Sequence, residues 1–148
     1  MRVKKILASI MSAVMLCSTV SVSSFADITT QAVVDEVSPA YESAHSVERM
    51  LYITSNSAEC SSDCDGLSNV VQISVEQTLE KYSGWFWIWN KVENANWIST
   101  NSGSYISVSN TRSGLTSGTY RLKSVFKLTN SSGKTETITI YSDEKEVS

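Results

Sequence analysis

Trp85-Phe86-Trp87-Ile88-Trp89 gathers three of the chain's four tryptophans into five residues. An extended strand turns successive side chains to opposite faces. Trp85, Trp87 and Trp89 would then share one face, with Phe86 and Ile88 on the other, and only one row can enter a core. With Phe86 and Ile88 inward, three indoles stand in solvent, joined by Tyr82 and Trp97. Each aromatic carries about 150–250 Å² of surface, so the row would exceed the few hundred Å² at which an apolar patch marks a partner site. Flat indoles suit sugar rings or a protein partner, which makes Tyr82, Trp85, Trp87, Trp89 and Trp97 the candidate ligand-binding residues. The opposite reading has the tryptophans in the core and Phe86 and Ile88 covered by a loop or leader. Three indoles crowd a sandwich ~10 Å thick, so mixed burial is open too.

The remaining reactive residue types form weaker patterns. Cys60 and Cys64 invite a disulfide in an exported chain. On a continuous strand, however, their Cα atoms lie about 13 Å apart, while a bridge needs less than ~7 Å. Strand and bridge exclude each other: either two thiols face one side, or Ser61-Ser62-Asp63 folds into a tight loop. Asp63-x-Asp65-Gly66 has the opening of a calcium loop without its third acidic position or its distant glutamate, and reads as a polar turn. His45, the only histidine, has no nucleophile or orienting acid in a recognisable spacing. Glu76, Glu80 and Glu93 read as solvent-facing strand residues rather than an opposed carboxylate pair. Gly-x-Ser-x-Gly, His-Glu-x-x-His and phosphate-loop motifs are all missing. The sequence therefore predicts no catalytic residue, no metal and no cofactor.

The N-terminus predicts export. Arg2, Lys4 and Lys5 precede an uncharged apolar stretch, Ile6 to Val20, and Ser24-Phe25-Ala26 offers small residues to a signal peptidase. The stretch is shorter than the ~20 residues of a membrane-spanning helix, so residues 1–26 read as a signal peptide, with a retained anchor as the alternative. Val14-Met15-Leu16 before Cys17 does not fit a lipoprotein signal. Removing residues 1–26 leaves nine basic against fifteen acidic residues, a net charge of −6 without a basic cluster. Nucleic acid, which is bound by clustered Lys and Arg, is excluded as a partner. No membrane association is expected after cleavage. Residues 27–44 show neither sustained alternation nor a helical stripe and read as a flexible leader. The charged tail, 144–148, is expected to fray.

Between them, 45–143 alternates with period two and is punctuated by turn residues. Seven strands are expected: Val47–Thr54, Ala58–Cys64 (stopped by Asp65-Gly66), Val70–Lys81, Trp85–Val92, Ser104–Ser109, Gly118–Leu128 and Lys134–Ser142. In the third, Val71, Ile73, Val75 and Leu79 point inward, and only Gln77 breaks the apolar row. Asn130-Ser131-Ser132-Gly133 reads as a hairpin loop. Seven one-sided strands bury their faces by packing as two sheets, which predicts an all-β, two-sheet sandwich. Leu115-Thr116-Ser117-Gly118-Thr119-Tyr120 matches a turn followed by a tyrosine corner, which favours the immunoglobulin-like version.

Ala58-Glu59-Cys60, Thr78-Leu79-Glu80-Lys81, the Trp85–Trp89 segment and Gly118-Thr119-Tyr120-Arg121 carry a resemblance. With the signal peptide and short leader, the chain resembles small secreted proteins of Gram-positive bacteria catalogued as a domain of unknown function. The likeness spans Val47 to Ser142 and implies export and an immunoglobulin-like sandwich. It implies no activity and no functional residue. Cys64 and the crowd of tryptophans depart from the pattern. The sequence thus predicts a secreted, extracellular or cell-wall-associated, non-enzymatic interaction protein with an unknown protein or glycan partner. The alternative is a carbohydrate- or cell-wall-binding module using an exposed tryptophan row.

Overall fold

The computed structural model describes residues 40–148, so the expected signal peptide and residues 27–39 of the leader lie outside the described residues. Eight strands follow in order: β1 (Ala44–Thr54), β2 (Ser57–Gly66), β3 (Val70–Ser83), β4 (Ile88–Ser102), β5 (Tyr105–Ser113), β6 (Gly118–Asn130), β7 (Thr135–Tyr141) and β8 (Lys145–Val147). They form two antiparallel sheets. One runs β1-β2-β5; the other runs β4-β3-β6-β7, with β8 pairing β6. β5 leaves β3 and β4 to join β2, and β3 is flanked by β4 and β6. This is the strand order of an immunoglobulin-like sandwich whose fourth strand extends the larger sheet.

The inward rows follow the alternation read from the sequence. Tyr120, Leu122, Phe126 and Leu128 of β6 are buried, as are Ile73, Val75 and Leu79 of β3, Ile106 of β5 and Ile138 of β7. Val71 departs from the expected row. A register shift between Val70 and Gln72 puts Val70 inside and leaves Val71 47% exposed. Such a bulge inserts one residue and reverses the faces before it.

Gln77 breaks the apolar row because the core is divided there. One apolar cluster gathers around Phe126, Ile73 and Cys64, the other around Tyr120, Leu79 and Cys60. Between them lies a buried polar belt from four strands, β2, β3, β5 and β6. Gln77 Nε2 donates to Ser62 Oγ (2.8 Å) and to the Cys60 carbonyl (3.0 Å). Asn110 Nδ2 donates to Gln77 Oε1 at 2.7 Å, and the hydroxyls of Ser62 and Ser124 share a bond of 2.7 Å. Buried polar groups are stable only when bonded in this way.

Other expectations change at element ends. β2 includes Asp65 and ends at Gly66, two residues past Cys64, pairing with β1 out to Ala44↔Gly66. Asp63 and Asp65 therefore stand on a strand rather than in a turn. The end of the leader is tied down: Tyr41 packs against the core, and Lys134 Nζ meets Glu42 Oε2 at 2.6 Å. The tail does not fray either, because Lys145–Val147 pairs with Gly118–Tyr120 and Val147 is buried. The tyrosine corner forms: Tyr120 OH donates to the Thr116 carbonyl at 2.6 Å.

Candidate functional site

Of the expected aromatic strand Trp85–Val92, Ile88 to Val92 lies on β4, but Trp85 to Trp87 lies in the hairpin turn before it. Gly84 to Trp87 form the turn between β3 and β4, closed by Phe86 N–H (3.2 Å) and Trp87 N–H (2.9 Å) donating to the Ser83 carbonyl. Turn geometry abolishes the alternation on which two opposed rows depended. Trp85, Phe86, Trp87 and Ile88 all face solvent, with 86%, 67%, 82% and 48% exposure. The patch is a convex knob of four consecutive apolar residues. Trp87 sits at φ +58°, while the loop's own glycine, Gly84, does not take the left-handed position. A side chain there costs about 1–2 kcal/mol, and strain of this kind collects at functional sites.

The other candidates separate from the tip. Tyr82 and Trp89 are cross-strand partners, with ring centroids 5.2 Å apart and planes tilted by 48°. The Arg121 guanidinium lies over Trp89 (4.2 Å to the centroid) and over Tyr141 (4.3 Å), while its Nε reaches Glu80 Oε2 at 2.7 Å. This outer-face stack braces the hairpin base through cation–π contacts and a charged hydrogen bond. Trp97 pairs with Gln77 and packs, half-buried, against the Tyr120 cluster. The five aromatic candidates therefore divide into a free tip (Trp85 and Trp87), a braced base (Tyr82 and Trp89) and a core-packed residue (Trp97). They do not form a row.

β4 then runs to Ser102, past the Val92 at which the aromatic strand was expected to end. Thr78 pairs with Asn96 and Glu80 with Lys91, so Val92 to Ala95 bulge opposite Leu79. Asn94 takes φ +54° within the bulge, a conformation asparagine tolerates. Asn96 Nδ2 closes it by donating to Glu76 Oε1 and Thr78 Oγ1, both at 2.8 Å.

The remaining reactive types are dispersed. Cys60 and Cys64 are free and buried on β2, so the strand prevails over the loop that a bridge required. Burial, helped by Glu59, pushes the Cys60 thiol up to about 12. Burial, then Asp65 and Glu136, pushes Cys64 up to about 11. Such thiols are poor nucleophiles. His45 is exposed on β1, Glu93 is exposed on the β4 bulge, and Glu80 is held by Arg121. Among the described residues, no three His, Cys, Asp or Glu side chains converge on a metal-sized site.

One feature had no sequence signal. A cavity of about 220 Å³ opens between the edge strands β4 and β5, below the hairpin, lined by Lys81, Lys91, Arg112, Thr116 and Tyr120 among others. Its basic residues are 31 positions apart at the extremes and meet only through the sheet order.

No protein-family model matches the chain, nor does any curated protein. Among solved structures, it is similar to a catalytically inactive OgpA from Akkermansia muciniphila in complex with an O-glycopeptide substrate. The TM-score is 0.34 and the identity 13%, over 73% of this chain and 31% of that one. A likeness of that size transfers neither fold nor activity.

Proposed function

We propose that the chain is a secreted, non-catalytic immunoglobulin-like domain that binds a protein partner outside the cell through the tip of its β3–β4 hairpin. The carrying observation is the knob itself: Trp85, Phe86, Trp87 and Ile88 all stand in solvent on a braced hairpin. An exposed patch of this kind is an interaction site or a liability, and aromatic anchors entering a partner's pocket dominate binding energies. A polysaccharide platform would need rings side by side, whereas Trp89 is stacked with Arg121 and Trp97 packs on the core. An anionic leaflet would repel a chain with nine basic and fifteen acidic residues after position 26. Export rests on Arg2-to-Ala26 and on the resemblance to small secreted proteins. The non-catalytic reading rests on buried, high-pKa thiols and a glutamate already engaged by arginine.

The test compares the exported protein with its Trp85→Ser/Trp87→Ser variant. Surface substitutions of this kind shift stability by no more than about 0.5 kcal/mol. Immobilised wild type is expected to retain a discrete surface protein from the producing culture that the variant does not. Equal retention by both proteins would refute the tip as the binding face. Tip-dependent binding to insoluble glycan or to vesicles instead would replace the protein partner with that ligand.

A further inference from the structure

We propose that the cavity between β4 and β5 is an anion site for a doubly charged tetrahedral group, the dianion of a phosphate monoester, with inorganic phosphate and sulfate as its simplest probes. Three cationic side chains line it, and no carboxylate does. Arg112 continues the inward row of Ile106, Val108 and Asn110 on β5, so a guanidinium is placed at the mouth of the interior. Its Nε is buried without a hydrogen-bond partner. Among the described residues the ion pairs are Arg121–Glu80 and Lys134–Glu42, which leaves the half-buried Lys81 and Arg112, and the exposed Lys91, without acidic partners. Buried or half-buried charge is normally paired, and an unmatched cluster of one sign favours an oppositely charged ligand.

Lys81 is fixed rather than incidental. Its Nζ donates to Thr116 Oγ1 and to the Ser117 carbonyl, both at 2.7 Å, and lies 5.4 Å from the centre of the Tyr120 ring. Its stem crosses Gly118, where a Cβ would come within 2.5 Å of Lys81 Cε. Gly118 (φ +146°) thus has a second use besides its backbone conformation: it leaves the space through which the ammonium reaches the cavity. The volume, about 220 Å³, is below the ~300 Å³ at which drug-sized pockets begin, so it fits one charged group of a larger ligand. Arginine meets oxyanions with a planar fork and lysine meets them as a point charge. Three positive charges are matched better by a dianion than by a single carboxylate.

The site goes beyond the hairpin-tip reading and does not depend on it. Titrating the ¹⁵N-labelled exported protein with inorganic sulfate, inorganic phosphate and acetate at constant ionic strength tests it by amide shifts. Saturable shifts centred on Gly114, Thr116 and Lys91 are expected with sulfate and phosphate, and much weaker ones with acetate. Arg112→Gln is expected to weaken sulfate binding roughly tenfold, a change worth about 1.4 kcal/mol. Lys91→Gln, at an exposed position, is expected to weaken it as well. Trp85→Ser/Trp87→Ser is expected to leave it unchanged. Linear shifts spread over all basic residues, equal affinity for acetate, or equal sulfate affinity in Lys91→Gln and wild type would overturn the proposal.

Discussion

At the scale of single residues, what the chain presents is decided by which polar and reactive groups are satisfied. Cys60 and Cys64 favour the protonated form in the fold, since burial raises both above their ordinary value of 9.0, to about 12 and about 11. A group that holds its proton more tightly when folded contributes stability below its unfolded pKa and loses it as pH rises towards the folded one. The thermal midpoint should therefore fall between pH 9 and 11 more steeply for wild type than for a Cys60→Ala/Cys64→Ala variant, followed by circular dichroism. Parallel slopes would show that the thiols are not protected. Gln77→Ala removes the centre of the polar belt and strands the Cys60 carbonyl and the Asn110 amide. It should cost roughly 2–4 kcal/mol in urea unfolding. The break at Gln77 was visible in the sequence as one polar residue in an apolar row. Its partners Ser62, Asn110 and Ser124 were not, because serine and asparagine are common on wet faces and only the strand order brings these three together.

At the scale of elements, alternation located strands well and their ends poorly. β6 and β7 matched because most of their inward positions, Tyr120, Leu122, Phe126, Leu128, Ile138 and Ile140, are large and apolar, and Asn130 to Gly133 carries turn chemistry, with Gly133 at φ +83°. The tyrosine corner was legible because it is local, four residues from hydroxyl to carbonyl. Trp85–Val92 misled because a row of aromatics has high strand propensity, whereas the hairpin register, Tyr82↔Trp89 and Ser83↔Ile88, requires the chain to turn at Gly84–Trp87. β8 was missed because Lys145-Glu146-Val147 has one apolar residue and depends on β6 for its pairing. Deleting Lys145–Ser148 should expose the pocket of Val147 and cost about 1.5–3 kcal/mol, read as a lowered urea midpoint. No change in midpoint would mean that β8 does not hold in solution.

For the whole molecule, fold class followed from composition and period, and function did not, since a sandwich serves many roles and only its sites distinguish them. The two sheets place the hairpin tip and the basic cavity at neighbouring stretches of β3 and β4: Lys81 and Lys91 lie within a few residues of Trp85 and Trp87. The aromatic residues were found from sequence but given the wrong geometry, and the cavity's basic residues were passed over because they are scattered along the chain. Everything proposed about the tip requires that Trp85 and Trp87 stand free while Trp89 and Trp97 are covered. Acrylamide quenching of tryptophan fluorescence in wild type and in a Trp85→Phe/Trp87→Phe variant tests this most directly. Steep quenching is expected in wild type and shallow quenching once the tip indoles are gone. Weak quenching in wild type, or a variant that quenches as steeply, would contradict it.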